Sequence, residues 1–212
     1  MDNLDFKKRD RTFYTGKVGH WDRVAVPPMT FLAIDGQGDP NGAAFGQAVQ
    51  ALYPMAYGVK MARKKAGADF TVPPLEALWW ADDPGAFTSQ ARDAWQWRAM
   101  IRVPDEVDGA ALEEVRAVVQ KKQAKKAGGT APETLRDVRL VSMEEGDCLQ
   151  TLFVGPYTDE TSVLAELHGK ILPEQGLTFA GRHHEIYLSD PRRVAPDKLR
   201  TILRQPVRAV RA

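Results

Sequence analysis

The sequence predicts an α+β protein made of two strand-helix-strand-strand units whose antiparallel sheets are joined by a connecting helix. Three observations predict it: the same order of apolar patterns occurs twice, candidate strands alternate with period two, and a lysine-ended helix pattern separates the halves. One 212-residue domain is expected, divided into an N-terminal extension (1–28), a first repeat (29–103), a helix and linker (104–146) and a second repeat (147–212).

The first repeat opens with an apolar run at 29–34, which has the length of a buried strand and stops at turn residues. A helix should follow, since apolar residues recur every three or four positions from Phe45 to Ala56; Pro54 predicts a kink or a break in it. Strands are expected at 71–80 and 95–103, with a turn at Asp82-Asp83-Pro84-Gly85 between them.

Asp108 is a good N-terminal cap for a connecting helix whose last turns contain a lysine cluster and which ends at Gly128-Gly129. The second repeat then offers a strand at 147–154, a helix opened by Thr158-Asp159-Glu160, and a strand at 178–188. A short helix around 197–203 and a last strand at 207–210 complete the predicted order.

Composition excludes several classes of protein. The 29 basic and 28 acidic residues nearly cancel, which argues against a partner that is nucleic acid. One cysteine, Cys148, permits no internal disulfide and reads as an inert core thiol. No apolar run reaches membrane-spanning length and the N-terminus lacks a secretion-signal pattern, so we expect a cytoplasmic protein without membrane contact.

Five segments, in this order, carry a family resemblance: residues 28–38, 75–80, 95–97, 154–157 and 184–191 (PMTFLAIDGQG, LEALWW, WQW, VGPY and HEIYLSDP). With them the chain resembles a stand-alone member of the GyrI-like small-molecule-binding superfamily over roughly residues 20–210. The resemblance implies two strand-helix-strand-strand units about a pseudo-twofold axis, with a ligand cleft between them. It also implies kinship with effector-binding domains of drug-responsive activators, with a gyrase inhibitor, and with hydrolases that open the cyclopropane ring of DNA-alkylating natural products.

Glu185 is the foremost candidate site residue, because it lies mid-strand with His183 and Tyr187 on its face by alternation and Ile186 on the other. A partly buried carboxylate beside aromatic rings can hold a cationic ligand or act as a general base. The resemblance implies a ligand-contacting glutamate in this strand. A plain sheet-face glutamate paired with Arg182 or Arg192 is the alternative.

Aromatic residues supply the other candidates. We expect Trp80 and Trp97 to contact ligand, although either member of each tryptophan pair, Trp79 included, can face the cleft, and core packing is the alternative. Tyr187 is a candidate catalytic residue and Tyr157 and Tyr57 are candidate hydrogen-bond donors to a ligand, with ordinary helix packing the alternative for Tyr57.

No cofactor or metal is expected. The adjacent His183 and His184 point to opposite faces of a strand, and no third ligand follows at metal spacing. The Gly36-Gln37-Gly38 turn lacks the residues of a phosphate loop.

Three functions compete. The first is a binding protein that sequesters or detoxifies hydrophobic, planar or cationic molecules in an aromatic cleft with a central glutamate. The second is a hydrolase that opens a cyclopropane ring with Glu185 as general base. The third, the least favoured, is an interaction protein that contacts and protects or inhibits a topoisomerase.

Overall fold

The computed structural model describes residues 3–82 and 91–210. Its helices in chain order are α1 (Phe6–Arg9), α2 (Ala43–Lys65), α3 (Gly109–Lys126), α4 (Glu160–Glu166) and, after a π-helical turn (Leu167–Ile171), α5 (Leu172–Glu174). The strands are β1 (Asp22–Val26), β2 (Met29–Gln37), β3 (Leu75–Trp80), β4 (Gln96–Arg102), β5 (Arg139–Met143), β6 (Gly146–Val154), β7 (Leu177–Phe179), β8 (His183–Tyr187) and β9 (Arg200–Ala209).

Contacts divide the chain into two compact units. Unit 1 takes the described residues within 1–9 and 28–143, and unit 2 those within 10–27 and 144–212. The predicted α+β class is confirmed: unit 1 has the order β2-α2-β3-β4, and unit 2 has the corresponding order β6-α4-β8-β9 with the short β7 inserted before β8. All the strand pairs within each unit are antiparallel.

Unit 1 has the strand order β3-β4-β2-β5. Helix α2 packs on one face of this sheet, and α3 packs on α2. The predicted cap of α3 is confirmed: the Asp108 carboxylate accepts a hydrogen bond of 2.8 Å from the backbone of Ala111. The helix does not break at Pro54, since α2 continues through it to Lys65. Its apolar stripe, which includes the buried Leu52 before the proline and Val59 after it, anchors the turns on both sides.

In unit 2, β1 pairs with β6 and β6 with β9, while β7 and β8 pair with different stretches of β9. The single strand predicted at 178–188 is therefore two strands. The helix predicted at 197–203 is wrong. Only the turn Pro196–Lys198 is helical, and β9 already begins at Arg200, because residues 201–207 are buried on both faces and pair along their length. The turn predicted at Asp82-Asp83-Pro84-Gly85 lies, after Asp82, outside the described residues.

None of the helices in the described part of the chain is both long enough and apolar enough to cross a membrane.

Gly36 offers a direct test of the unit 1 packing. A Cβ at Gly36 would lie 2.3 Å from two ring atoms of the buried Trp97, which is opposite it in the β2–β4 register. We expect Gly36→Ala to lower the free energy of unfolding by about 2 kcal/mol, measured by denaturant titration. Gly46→Ala, on α2 with open space around it, is the matched control and should be neutral or stabilising. Equal stability of the two variants would contradict the packing.

Candidate functional site

Unit 2 contains a group of glutamate, histidine and tyrosine side chains that we call the Glu185 site. His183, Glu185 and Tyr187 alternate along β8 and therefore face the same side of the sheet. The side chains of His183 and Glu185 are each 14% exposed, and 3.6 Å separates His183 Nε2 from Glu185 Oε1. Two further members, Tyr157 and Glu160, come from the turn before α4 and from its first residue.

Glu160 is buried at the start of α4, with 5% of its surface exposed. Burial, and then the nearby charge of Glu185, raise the pKa of Glu160 from its ordinary 4.5 to about 10. The Glu160 carboxyl is therefore protonated at neutral pH. The site thus combines Glu185 with a carboxylic acid that retains its proton, and such a pair is the usual requirement for acid–base chemistry.

Tyr157 and Tyr187 form the aromatic part of the site. Their ring centroids are 5.6 Å apart and the rings meet edge to face at 77°. Burial, followed by the charges of Glu160, Glu185 and Asp190, raises the pKa of Tyr157 to about 12. The phenol therefore keeps its proton and is available as a hydrogen-bond donor.

Unpaired polar atoms concentrate at this site. Glu160 Oε1 and both ring nitrogens of His183 are buried and have no hydrogen-bond partner among the described residues, while the Thr201 hydroxyl lies close enough to Glu160 to oppose the rise in its pKa by hydrogen bonding. Thr201 lies opposite Tyr187 in the β8–β9 register and so faces the same side. Since buried polar groups are nearly always paired in native proteins, this concentration favours a site that completes its hydrogen bonds with a bound molecule.

The Glu185 face of the sheet also carries apolar core. Glu185 is opposite Leu203 in register, and Leu203 packs in a cluster with Leu167 and Leu172 of the helical segment. The Glu185 carboxylate therefore shares its face of the sheet with core residues. The site therefore lies beside apolar core on the same face, which explains its desolvation.

The two ligand-contacting tryptophans expected in unit 1 do not share a face. Trp80 is half-buried and donates its Nε1 hydrogen to Gln96 Oε1 at 2.8 Å, on the side of the sheet away from α2. Trp97 is 2% exposed and packs against Phe45 of α2, as does Trp79, which is opposite it in register. Alternation separates Trp80 from the other two, so the pairing of Trp80 with Trp97 in one cleft is wrong.

Tyr57 lies on α2 in unit 1 and is 54% exposed, whereas the Glu185 site belongs to unit 2. Its ordinary interpretation, a tyrosine on a helix surface, agrees with this position.

His184 serves a structural network on the opposite face of β8. Its Nδ1 lies 3.0 Å from both carboxylate oxygens of Glu145, and Arg204 Nη1 donates to Glu145 at 2.9 Å. Although burial opposes it, His184 and Arg204 together lower the pKa of Glu145 to about 2. Arg204 also donates to the carbonyl of Phe13, so the network fastens the segment before β1 to the sheet. The predicted divergence of His183 and His184 is confirmed.

A polar cavity of about 480 Å³ opens elsewhere in unit 2. It is lined mainly by side chains of the N-terminal segment, β1 and β6: Arg11, Thr12, Thr15, Asp22, Arg23, Val24 and Gln150. Gln150 is opposite Arg204 in register and hence on the face away from Glu185. Because Arg23 is already paired with Asp147, this cavity offers fewer side chains for binding or acid–base chemistry than the Glu185 site does.

Comparison with known proteins decides the family. The model of the GyrI-like small molecule binding domain matches residues 23–208. The chain belongs to the GyrI-like family. Among the curated proteins, no match to it is significant.

Solved structures agree with this assignment. A conserved protein from Listeria innocua is 40% identical to this GyrI-like chain, with 97% of this chain and 100% of that one covered and a TM-score of 0.86. A hydrolase from Listeria innocua is 39% identical, with coverage of 98% and 100% and a TM-score of 0.83. The EcmrR C-terminal domain, at 10% identity, 90% and 98% coverage and a TM-score of 0.57, shares the fold.

Sequence reasoning missed Glu160, and it placed His183 on the Glu185 face without giving it a role. Glu160 reads as an acidic residue in the first turn of a helix, where carboxylates are common for electrostatic reasons. Its burial depends on how α4 packs on the sheet, which no local pattern reveals. Alternation along the strand places His183 beside Glu185, but the adjacent His183 and His184 were considered only as possible metal ligands.

Proposed function

We propose that this GyrI-like protein is a hydrolase of small hydrophobic molecules, and that its substrates carry a strained cyclopropane ring conjugated to a carbonyl group. The observation that carries the proposal is the carboxyl pair of the Glu185 site, in which Glu160 retains a proton beside Glu185. Solved structures of hydrolases with 39% identity over nearly the whole chain support a hydrolytic reaction.

The roles follow from the chemistry of each group. Glu185 acts as general base and takes a proton from water, whose oxygen attacks the strained ring carbon. Tyr157 donates a hydrogen bond to the carbonyl oxygen, where negative charge develops as the ring opens, and Tyr187 orients the Tyr157 ring. Glu160 supplies the proton that this oxygen finally takes up.

A second candidate function is sequestration of hydrophobic, planar or cationic molecules. It is favoured by the same carboxyl pair, because an organic cation placed against the Tyr157 and Tyr187 rings would ionise Glu160 and pair with it. Ligand contact by the half-buried Trp80 stays a prediction. A cytoplasmic location and contact with a topoisomerase stay predictions.

Turnover of a cyclopropane-bearing alkylating agent separates these functions. With substrate in 100-fold excess over the wild-type protein, we expect complete loss of the absorbance of the carbonyl conjugated to the cyclopropane ring. Mass spectrometry should show a product heavier by one water. Substrate depleted only to the concentration of protein, with its mass unchanged, would contradict the hydrolase and favour sequestration.

A further inference from the structure

His183 is a buried imidazole to which the roles above give no task. Burial, reinforced by the charges of His184 and His168, lowers its pKa to about 3, and Glu145 only partly opposes this. The ring is therefore neutral between pH 5 and 8, with one nitrogen as donor and the other as acceptor. Neither nitrogen has a hydrogen-bond partner among the described residues.

A purely structural role explains this histidine poorly. Burying a ring with two unpaired polar atoms costs stability, and a phenylalanine would fill the same space without that cost. A residue kept at such a cost is typical of a functional site, where stability is exchanged for activity.

The distance to Glu185 indicates what His183 binds. At 3.6 Å, Nε2 and the Glu185 oxygen are too far apart for a direct hydrogen bond. A single oxygen atom placed about 2.8 Å from each would hydrogen bond to both. The opposite nitrogen, Nδ1, would then carry the ring proton.

We propose that His183 is a further catalytic residue of the Glu185 site, where His183 and Glu185 together hold the water that hydrolysis consumes. This inference rests on the proposed function. One hydrogen of the water points to Glu185 and the other to His183 Nε2, which leaves an oxygen lone pair directed at the substrate.

The step balances without a change in the charge of His183. The water oxygen bonds to the ring carbon while one proton passes to the Glu185 carboxylate, and the second stays on the new hydroxyl group. The ring carbon–carbon bond breaks, and its electron pair moves into the conjugated carbonyl, whose oxygen takes the proton of Glu160. Proton exchange with solvent then returns Glu160 and Glu185 to their starting states.

The decisive variant is His183→Phe, which keeps a flat ring and removes both nitrogens. We expect kcat for the cyclopropane substrate to fall about 10- to 100-fold, as for loss of a hydrogen bond to a charged transition state, with KM within about threefold of wild type. The thermal unfolding midpoint should stay level or rise. A merely structural histidine would give the reverse, unchanged kcat with a lowered midpoint.

Controls keep the inference separable from the proposed function. His20→Phe changes an exposed histidine of the same unit and should leave kcat unchanged. If His183→Phe is insoluble, His183→Asn replaces it, together with nitrogen NMR of the wild-type imidazole. The NMR spectrum should show a neutral ring protonated at Nδ1. An imidazolium at pH 7 would overturn the inference. An active wild type with full activity in His183→Phe would overturn the inference alone, whereas an inactive wild type would overturn both proposals.

Discussion

Replacing Glu185 with glutamine is expected to lower turnover of the cyclopropane substrate by at least about 100-fold, the lower end for loss of a general base. Glutamine keeps the size and shape of the side chain but cannot take a proton from water. Because the apolar contacts of the substrate are unchanged, KM should stay within a few-fold of wild type. Steady-state kinetics at pH 7 provide the measurement.

The matched control is Glu166→Gln, which makes the same change at an exposed position on α4. It should retain full activity, so that any loss in Glu185→Gln is specific to the site. If both variants turn over substrate at the wild-type rate, Glu185 is a sheet-face residue and the hydrolase proposal loses its base. If only the binding of an aromatic cation such as proflavine weakens in Glu185→Gln, sequestration is the better description.

Much of the fold was predictable because local patterns and the final structure agree. The Asp108 cap and the alternation of β4 each specify their element within a few residues, and the apolar stripe of α2 specifies where that helix begins. The predictions of secondary structure failed where a strand is buried on both of its faces. Residues 201–207 are buried on both faces, so β9 shows no alternation and resembles a short helix in the sequence.

The site was only partly predictable for a related reason. Glu185 and Tyr187 could be placed together because they share one strand and one face. Glu160 lies 25 positions earlier on another element, and its pKa results from packing against that strand. The tryptophans show the opposite error: aromatic abundance predicted ligand contact, but Trp79 and Trp97 form the contact of the sheet with α2.

Replacing Glu160 with glutamine is expected to stabilise the protein, and increasingly so as the pH rises. The unfolded chain releases the Glu160 proton near pH 4.5, whereas the folded protein holds it up to about pH 10. Between these values folding requires a proton to be bound, so the free energy of unfolding contributed by this group falls with rising pH. Glutamine is uncharged throughout and does not have this dependence. At pH 8 the gain should be on the order of 3 kcal/mol, or a midpoint higher by roughly 5–10 °C.

Thermal unfolding of wild type, Glu160→Gln and Glu166→Gln at pH 4 and pH 8 measures this difference. The wild type and Glu160→Gln should unfold at similar temperatures at pH 4, where Glu160 is protonated in both states, and should separate at pH 8. Glu166, on the same helix and exposed, should give no such separation. A Glu160→Gln variant less stable than wild type at pH 8 would show that Glu160 is ionised and paired in the folded protein. It would then have no proton to supply to the opened ring, and the acid role proposed for it would fail together with the stability argument.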